Sequence, residues 1–298
     1  MSPTRPKIVG VAHIAFYVSD LAASRVFYTD FLGYEESYQI NHPDGSLALA
    51  VIKINDRQYV ELHPGLKPGQ DRLQHIAFYV DDAEAMRVYL ASRGVTVPDR
   101  VTPGRRGTTG FSVQDPENHA VEFVQELPES WAVRDAGKFL PADPLSRRMS
   151  HVGVLAGDYA AFMKFYADIL GFTEFWRGAS RTSETVSWTN LRLPDSNDYI
   201  EPMLFSEVPD PDHRGEEHHF CLEVADLPSA HAWLERRAAR PTYPRELAPR
   251  TGVNRKRQLN LYGPDGSRVE IMEANTVDGV PAPASTLPLP RIGLKTTR

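Results

Sequence analysis

The sequence predicts an α+β fold built from four copies of one unit, each a strand, a helix and three more strands. The first observation is an apolar run that begins with histidine and carries an aspartate seven residues later, at 13–20, 75–82, 151–158 and 219–226. The second is a glutamate inside an apolar strand 47 to 51 residues after each histidine, at Glu61, Glu122, Glu201 and Glu270. Recurrence at a fixed period indicates one structural unit used repeatedly.

The first unit shows each element of this plan. Residues 8–18 alternate and are rich in branched and aromatic side chains, which predicts a strand with His13 and Tyr17 on one face. Residues 20–32 carry apolar side chains at helical spacing and stop at Gly33, a typical helix end. Three further strands, separated by turn residues, are predicted at 34–39, 47–54 and 58–62.

The later units repeat the plan. In the second, the predicted elements are a strand at 75–80, a helix at 82–93 and strands at 95–98, 110–114 and 120–125. In the third and fourth, the clearest elements are helices at 158–170 and 227–239 and a closing hairpin of 258–262 and 268–272.

Two domains follow from the repeats and from the stretches that lack periodicity. Residues 127–148 show no sustained pattern, which predicts a surface linker, and the segment after Ala274 is rich in Pro, Thr and Ser. The predicted organisation is an N-terminal domain 1–126 with modules 8–63 and 72–126, the linker 127–148, a C-terminal domain 149–274 with modules 149–205 and 216–274, and a tail 275–298.

Composition narrows the function. Hydrophobic residues make up 41% and charged residues 24%, and the formal charge of −6 argues against a nucleic-acid or anionic-membrane binder. No run approaches the roughly 18 apolar residues that span a bilayer, and residues 1–10 lack a signal-peptide core. The only cysteine, Cys221, excludes intrachain disulfides and cysteine-rich zinc sites. We therefore expect a cytoplasmic protein, monomeric or homodimeric, that acts on a small molecule.

The recurring histidines and glutamates predict metal binding. A glutamate in an apolar strand is costly to bury unless it is paired or bound to a cation. Imidazole nitrogen and carboxylate oxygen suit divalent zinc, nickel, manganese or iron. If paired units line a shared concave sheet, two histidines and two glutamates converge. The residue two after each histidine is small, and we expect these residues to make room for a ligand: Ala15, Ala77, Gly153 and Cys221.

Several motifs together resemble the vicinal oxygen chelate superfamily. They are the His-x6-Asp opening, the Phe-Tyr-x-x-x-Leu-Gly helix end at 27–33 and 165–171, and the closing Val-Glu-[Phe/Ile] strand. That group includes glyoxalase I, methylmalonyl-CoA epimerase, type I extradiol dioxygenases and bleomycin- and fosfomycin-resistance proteins. The resemblance implies four βαβββ modules paired into two open-barrel vicinal-oxygen-chelate domains.

Glyoxalase I and related isomerases are the members that the chain resembles most in its ligand pattern. The resemblance implies two ligand sets, His13, Glu61, His75 and Glu122 in the N-terminal half and His151, Glu201, His219 and Glu270 in the C-terminal half. It implies a lyase, isomerase or epimerase that works through a metal-chelated enediolate. A glutamate that can leave the metal then acts as base, and the candidates are Glu270, Glu201 and Glu122.

Two alternatives remain. An extradiol dioxygenase would use only His151, His219 and Glu270, so Glu201 would occupy a position that this reaction needs open. The catalytic tyrosine of that family falls on Asn260, and no matching acid histidine precedes His219. A resistance protein would bind a drug in the same cavity without a metal, and would not need eight ligand-type residues.

Further residues are candidates for substrate binding. Arg250, Arg255 and Arg257 precede the last hairpin and are expected to hold an anionic group near the mouth of the C-terminal site. Arg105 and Arg106 occupy the corresponding N-terminal loop. Tyr59, Tyr199 and Asn260 are also predicted to contact substrate or ligands, with the C-terminal half as the main active site.

Overall fold

A computed structural model describes residues 3–291 and confirms the α+β fold. The chain forms two curled eight-stranded sheets with the same strand order. The first sheet has the order β2-β3-β4-β1-β5-β8-β7-β6 and contains β1 (Ile8–Val18), β2 (Glu35–Asn41), β3 (Leu47–Lys53), β4 (Tyr59–Pro64), β5 (Leu73–Val80), β6 (Thr102–Pro103), β7 (Thr109–Gln114) and β8 (Ala120–Gln125). The second has the order β10-β11-β12-β9-β13-β16-β15-β14 and contains β9 (Met149–Ala156), β10 (Thr173–Gly178), β11 (Trp188–Arg192), β12 (Tyr199–Leu204), β13 (His219–Val224), β14 (Arg250–Thr251), β15 (Arg257–Tyr262) and β16 (Arg268–Glu273).

The helices follow the first strand of each unit. They are α1 (Leu21–Arg25), α2 (Ala83–Ser92), α4 (Tyr159–Met163) and α5 (Leu227–Glu235). A further short helix, α3 (Trp131–Arg134), lies in the segment of the chain that connects the two sheets. The aspartate of each repeat caps its helix, because its carboxylate accepts the backbone N–H three residues later. At the Phe-Tyr-x-x-x-Leu-Gly motifs, α1 and α4 continue as π-helical turns, Val26–Phe31 and Lys164–Ile169. Gly33 and Gly171 then end them with φ of 77° and 81°, a conformation that favours glycine.

The strand order places the repeat histidines and glutamates at the centre of each sheet. In the first sheet β1 and β5 are antiparallel neighbours, β4 runs parallel to β1, and β8 runs parallel to β5. Histidines therefore lie on the two central strands and glutamates on the strands that flank them. The second sheet repeats this arrangement with β9, β13, β12 and β16.

The apolar faces of the two sheets share one hydrophobic core. Phe16 packs against Phe220 with ring centroids 6.4 Å apart, and Phe78 packs against Phe172 at 5.4 Å. Hydrogen bonds also cross between the halves, since the Tyr89 hydroxyl donates to the Ile169 carbonyl at 2.7 Å. The opposite, concave faces carry the histidines and glutamates, and we call these the N-terminal cup and the C-terminal cup.

Some predicted elements differ from the structure. The strand predicted at 95–98 is wrong: Val95 and Val97 pack on the core without strand pairing, and Pro98 has no N–H to donate. The fourth helix ends at Glu235, earlier than the predicted 239, and a short 3₁₀ turn, Arg240–Thr242, follows.

The segments outside the sheets are packed rather than loose. In the predicted linker, Trp131 is 2% exposed. The predicted tail crosses the C-terminal cup: Val277 N–H donates to the Arg255 carbonyl at 2.9 Å, and Ser285 N–H to the Arg177 carbonyl at 2.9 Å. Positions 292–298 of that tail lie outside the described residues.

Candidate metal centre

Each repeat histidine faces one of the small residues across the central strand pair. The registers pair His13 with Ala77, His75 with Ala15, His151 with Cys221 and His219 with Gly153. A Cβ added to Gly153 would lie 1.8 Å from Cε1 of His219, so only glycine fits under this ring. Gly153 therefore makes room for the ring of His219, and the expectation that the four small residues make room for a ligand stays a prediction.

The glutamates are aligned beside the same small residues from the other side. The parallel registers place Glu61 next to Ala15, Glu122 next to Ala77, Glu201 next to Gly153 and Glu270 next to Cys221. Each small residue thus separates a histidine on one neighbouring strand from a glutamate on the other. Each row across three strands therefore joins the histidine of one module to the glutamate of the other module in the same sheet.

The C-terminal cup brings four potential ligands together. One ligand atom from each of His151, Glu201, His219 and Glu270 lies within 4.8 Å of the other three. The two Nε2 atoms are 3.3 Å apart, and Oε2 of Glu201 lies 3.3 Å from Nε2 of His219. Oε2 of Glu270 lies 3.3 Å from Nε2 of His151.

Neighbouring groups orient these four side chains. Gln258 donates to Oε1 of Glu270 at 3.0 Å, and the Asn190 amide, with its nitrogen toward Glu201, donates to Oε1 at 3.2 Å. Both Oε2 atoms are thereby left facing the histidines. Nδ1 of His219 lies 2.7 Å from the Glu217 carbonyl, and Nη2 of Arg268 lies 2.7 Å from Nδ1 and 3.3 Å from Nε2, so these two groups fix the orientation of the ring.

Burial and neighbouring charges shift the pKa values of three of these side chains. Burial, and then the charge of Arg268, hold the pKa of His219 well below its ordinary value, so the imidazole is neutral. Burial raises the pKa of Glu201. At Glu270 burial also acts to raise the pKa, but the hydrogen bond and charge of His151, together with His219 and Arg268, outweigh it and lower the pKa. Two imidazoles and two carboxylates form a nitrogen and oxygen donor set.

This donor set fits a divalent ion. Metal–ligand bonds of about 2.1 Å place neighbouring ligand atoms about 3 Å apart and opposite ones about 4 Å apart. The four ligand atoms of the C-terminal cup already lie at such separations, 3.3 to 3.9 Å for the pairs closest to the histidines. His151 and His219 are fully buried, so the rings are held in place before any ion binds.

A cavity of about 370 Å³ adjoins the two glutamates of the C-terminal cup. Its lining includes apolar Trp188, Met203 and Met272 and the three arginines Arg181, Arg250 and Arg268. Arg181 and Arg250 are exposed, and neither forms an ion pair with another residue in the described range 3–291. The cavity therefore joins the four-ligand cluster to unpaired positive charge.

A second cavity of about 830 Å³ shares Asn254 and Met272 with the first. Tyr199 lines it and stacks on His151 with ring centroids 4.3 Å apart. Tail residues between 275 and 282 complete its wall. The C-terminal cup thus contains two adjoining cavities.

The N-terminal cup contains the same residue types, but one of its glutamates contacts an arginine. His13, Glu61 and His75 form a group with ligand atoms within 4.8 Å, and Oε2 of Glu122 lies 3.2 Å from Nε2 of His13. The Nε2 atoms of His13 and His75 are 2.6 Å apart. Oε1 of Glu61, however, lies 3.3 Å from the guanidinium of Arg106, and Nδ1 of His13 is buried without a partner.

The predicted substrate-binding residues separate into two groups. Arg250 and Tyr199 line cavities of the C-terminal cup. Asn260 pairs in register with Glu270, and its buried Oδ1 has no partner. Arg255 instead pairs with Asp278 of the tail, and Arg257 pairs with Glu273 at 3.0 Å, so neither cation faces the cavity.

Tyr59 is buried under neighbouring side chains. It stacks on His13 at 4.6 Å, is 1% exposed and lies beneath Trp131 and Arg106.

Sequence reasoning missed several residues of the C-terminal cup. Arg268 could have been found, because it lies two residues before Glu270 and so shares its strand face. Gln258 follows from the same rule, since it lies two residues before Asn260, the cross-strand neighbour of Glu270. Arg181 lies in a loop, and no spacing rule points to it.

Comparisons with known proteins agree with this geometry. The sequence pattern of the Glyoxalase/Bleomycin resistance protein/Dioxygenase superfamily matches residues 10–123 and again residues 148–271. A lactoylglutathione lyase of Haemophilus influenzae is 28% identical over 123 residues, which cover 39% of this chain and 91% of that protein. The uncharacterized protein YwbC of Bacillus subtilis is 26% identical over 121 residues, 39% of this chain and 96% of that protein.

Solved structures share the fold over nearly the whole chain. The Mn(II)-bound glyoxalase from Novosphingobium aromaticivorans has a TM-score of 0.67 at 17% identity and covers 90% of this chain and 83% of its own. The 2,3-dioxygenase LapB from Pseudomonas sp. KL28 has a TM-score of 0.68 at 16% identity, and the match covers 93% of this chain and 97% of that chain. None of the described helices is both long and apolar enough to cross a membrane. With the family pattern present in both halves, the chain belongs to the Glyoxalase/Bleomycin resistance protein/Dioxygenase superfamily.

Proposed function

We propose that the protein is a divalent-metal enzyme of the glyoxalase type, a lyase, isomerase or epimerase whose working site is the C-terminal cup. The observation that carries this proposal is the four-ligand group His151, Glu201, His219 and Glu270 beside a cavity of about 370 Å³. The ion is zinc, nickel, manganese or iron. Bound there, it would polarise two adjacent substrate oxygens and stabilise the negative charge that develops on them.

Glu201 is the candidate base. Its Oε2 lies 3.3 Å from Nε2 of His219 and 3.9 Å from Nε2 of His151, and the side chain lines the cavity. Burial raises the pKa of Glu201 above its ordinary value, so the carboxylate can hold the proton that it takes from a substrate carbon. Glu270 has a lowered pKa and a hydrogen bond from Gln258, which suits a carboxylate that stays ionised.

The cavity favours an anionic substrate. Arg268 lies at the floor, with Nη2 2.7 Å from Nδ1 of His219, and Arg181 and Arg250 lie in the same lining. Guanidinium groups bind carboxylate or phosphate oxygens through paired hydrogen bonds. An exchange of Arg268 for Met should lower kcat/KM for a carboxylate substrate by roughly 10- to 100-fold, the effect of one lost hydrogen bond to a charged group.

The residues of the cup favour this reaction over ring cleavage. Glu201 supplies a fourth ligand where a dioxygenase of the type considered above would need an open position, and Asn260 stands in place of its tyrosine. The same donor set argues against a metal-free drug-binding protein, because its buried carboxylates would then lack a cation.

Activity assays decide between these reactions. The metal-loaded protein is assayed with hemithioacetals and other carbonyl substrates with adjacent oxygens, and separately for oxygen uptake with catechols. We expect isomerisation without oxygen uptake, reduced about 100- to 10,000-fold by Glu201→Gln or Glu270→Gln. The matched control is Glu122→Gln in the N-terminal cup, which should keep the activity. Catechol-dependent oxygen uptake, or loss of activity only in the Glu122 variant, would contradict the proposal.

A further inference from the structure

One loop differs between the two cups at a position that faces the ligands. In the first sheet the loop joins β6 to β7, and the register pairs Thr102 with Gly110. In the second it joins β14 to β15, and the register pairs Arg250 with Gln258. The two loops have equal length, so Arg106 corresponds in position to Asn254.

The short side chain at Asn254 leaves the C-terminal cup open. Its amide accepts from Lys256 N–H at 3.1 Å and donates to Sδ of Met272 at 3.3 Å. Both Asn254 and Met272 line the cavities of that cup. The residue therefore forms part of a wall and does not reach the four ligands.

Arg106 reaches into the N-terminal cup instead. Its side chain is 8% exposed, and its guanidinium lies 3.3 Å from Oε1 of Glu61. The same group stacks over the ring of Tyr59 at 4.2 Å, and its Nη1 is buried without a hydrogen-bond partner. A buried guanidinium is always charged, so a fixed positive charge lies beside the ligand set.

The segment between the sheets holds Arg106 in place. Trp131 N–H donates to the Arg106 carbonyl at 2.8 Å, and the indole packs at 6.3 Å from the ring of Tyr59. The buried ammonium of Lys53 donates to the carbonyls of Asp135 and Lys138, which fastens this segment over the cup. The backbone of Arg106 is thus held by this packed segment, and its guanidinium lies on the buried ring of Tyr59.

We propose that Arg106 occupies a latent divalent-metal site formed by His13, Glu61, His75 and Glu122, and prevents this second ligand set from holding an ion. A divalent cation bound there would compete with the guanidinium of Arg106 for the carboxylate of Glu61. The two positive charges would also repel each other strongly, because both are buried and close together. Glu61 is engaged further by His63 at 3.1 Å. In the C-terminal cup Arg268 contacts the ring of His219, but within residues 3–291 no arginine forms an ion pair with Glu201 or Glu270.

The test exchanges the loop residue and counts ions. Mn(II) or Zn(II) per chain is measured by elemental mass spectrometry on the full chain after loading and desalting. We expect one ion in the wild type and two in Arg106→Asn, which copies the residue of the other cup. The matched control is Arg105→Asn, since Arg105 is the exposed neighbour in the same loop, and it should keep one ion.

A second exchange assigns the gained ion. Adding His75→Ala to the Arg106→Asn variant should remove the N-terminal ion and return the count to one. Adding His219→Ala instead should remove the C-terminal ion, so that only the N-terminal ion remains. Two ions in the wild type, of which one is lost with His75→Ala, would overturn the proposal. So would a folded Arg106→Asn variant that holds only one ion.

The reciprocal exchange covers the case in which Arg106→Asn does not fold. Asn254→Arg places a guanidinium in the C-terminal cup and should remove its ion, and an ion retained there in this variant would contradict the proposal. The inference rests on the proposed function only for the ion of the C-terminal cup. No ion in the wild type and one in Arg106→Asn would refute the proposed function while supporting this inference.

Discussion

His219 lies flat over Gly153, and this contact sets the geometry of the C-terminal cup at the level of single residues. The other three repeat histidines face a residue with a Cβ, namely Ala15, Ala77 or Cys221. Only at Gly153 would the added carbon lie 1.8 Å from a histidine ring. The ring of His219 therefore depends on glycine for the position of its Nε2.

We predict that Gly153→Ala displaces His219 and weakens metal binding by about 10- to 100-fold, the usual effect of disturbing the support of a ligand. Isothermal titration with Mn(II) or Zn(II) measures the affinity. The control is Cys221→Ala, which copies Ala77 of the first sheet and should bind metal normally. Unchanged affinity in Gly153→Ala would show that His219 is not a ligand.

The clustering of the candidate ligands could be predicted from sequence, but the residues around them only in part. The His and Glu repeats are visible because strand alternation and a constant interval place them on one face. Arg255 was predicted to face the substrate, yet it has a φ of 61° and turns toward Asp278. Arg106 was identified only as a residue of the corresponding N-terminal loop, and its contact with Glu61 was not predicted. Loop side-chain directions depend on backbone dihedrals that a sequence pattern does not specify.

At the level of elements, tail residues 275–285 form one wall of the C-terminal cup. It hydrogen-bonds to the loop around Arg255 on one edge of the sheet and to Trp176 and Arg177 of β10 on the other. This path crosses the second cavity, whose wall includes Gly279 and Ala282. This role could not be predicted from the sequence, because the tail has many prolines and no hydrophobic periodicity. Hydrogen bonds of its backbone groups hold it in place, and these leave no pattern in the side chains.

We predict that removal of the chain after Ala274 raises KM roughly tenfold, the equivalent of about 1.4 kcal/mol of lost binding, and leaves the metal bound. The reason is that the tail lines the cavity but supplies none of the four ligands. Steady-state kinetics and metal content are measured together. A control chain that ends at 291 should behave as the full chain. Loss of metal on truncation would mean that the tail supports the sheet itself.

At the level of the whole molecule, the two halves are joined through their apolar faces. Phe220 of β13 lies 6.4 Å from Phe16 and from Tyr28 of the first half. Tyr34 of the first half donates to the Ser146 carbonyl at 2.9 Å. The repeats predicted two similar units correctly, but how their helix-covered faces meet is a tertiary property that no repeat period encodes.

We predict that the chain unfolds in one cooperative step. Phe220→Ala should destabilise both halves together by about 3–5 kcal/mol, because it leaves a cavity in a shared core. Hydrogen exchange followed by mass spectrometry in denaturant reports each half separately. Phe175→Ala, at an exposed phenylalanine, is the control and should change little. Destabilisation confined to the C-terminal half would refute a shared core.

An anomalous-scattering map from a crystal loaded with Mn(II) would show whether the C-terminal cup is the metal centre. We expect a strong peak about 2 Å from the Nε2 atoms of His151 and His219, within reach of Glu201 and Glu270. We expect no comparable peak beside Arg106. A peak confined to the N-terminal cup, between the two histidines of that half, would contradict the assignment of the metal centre to the C-terminal cup.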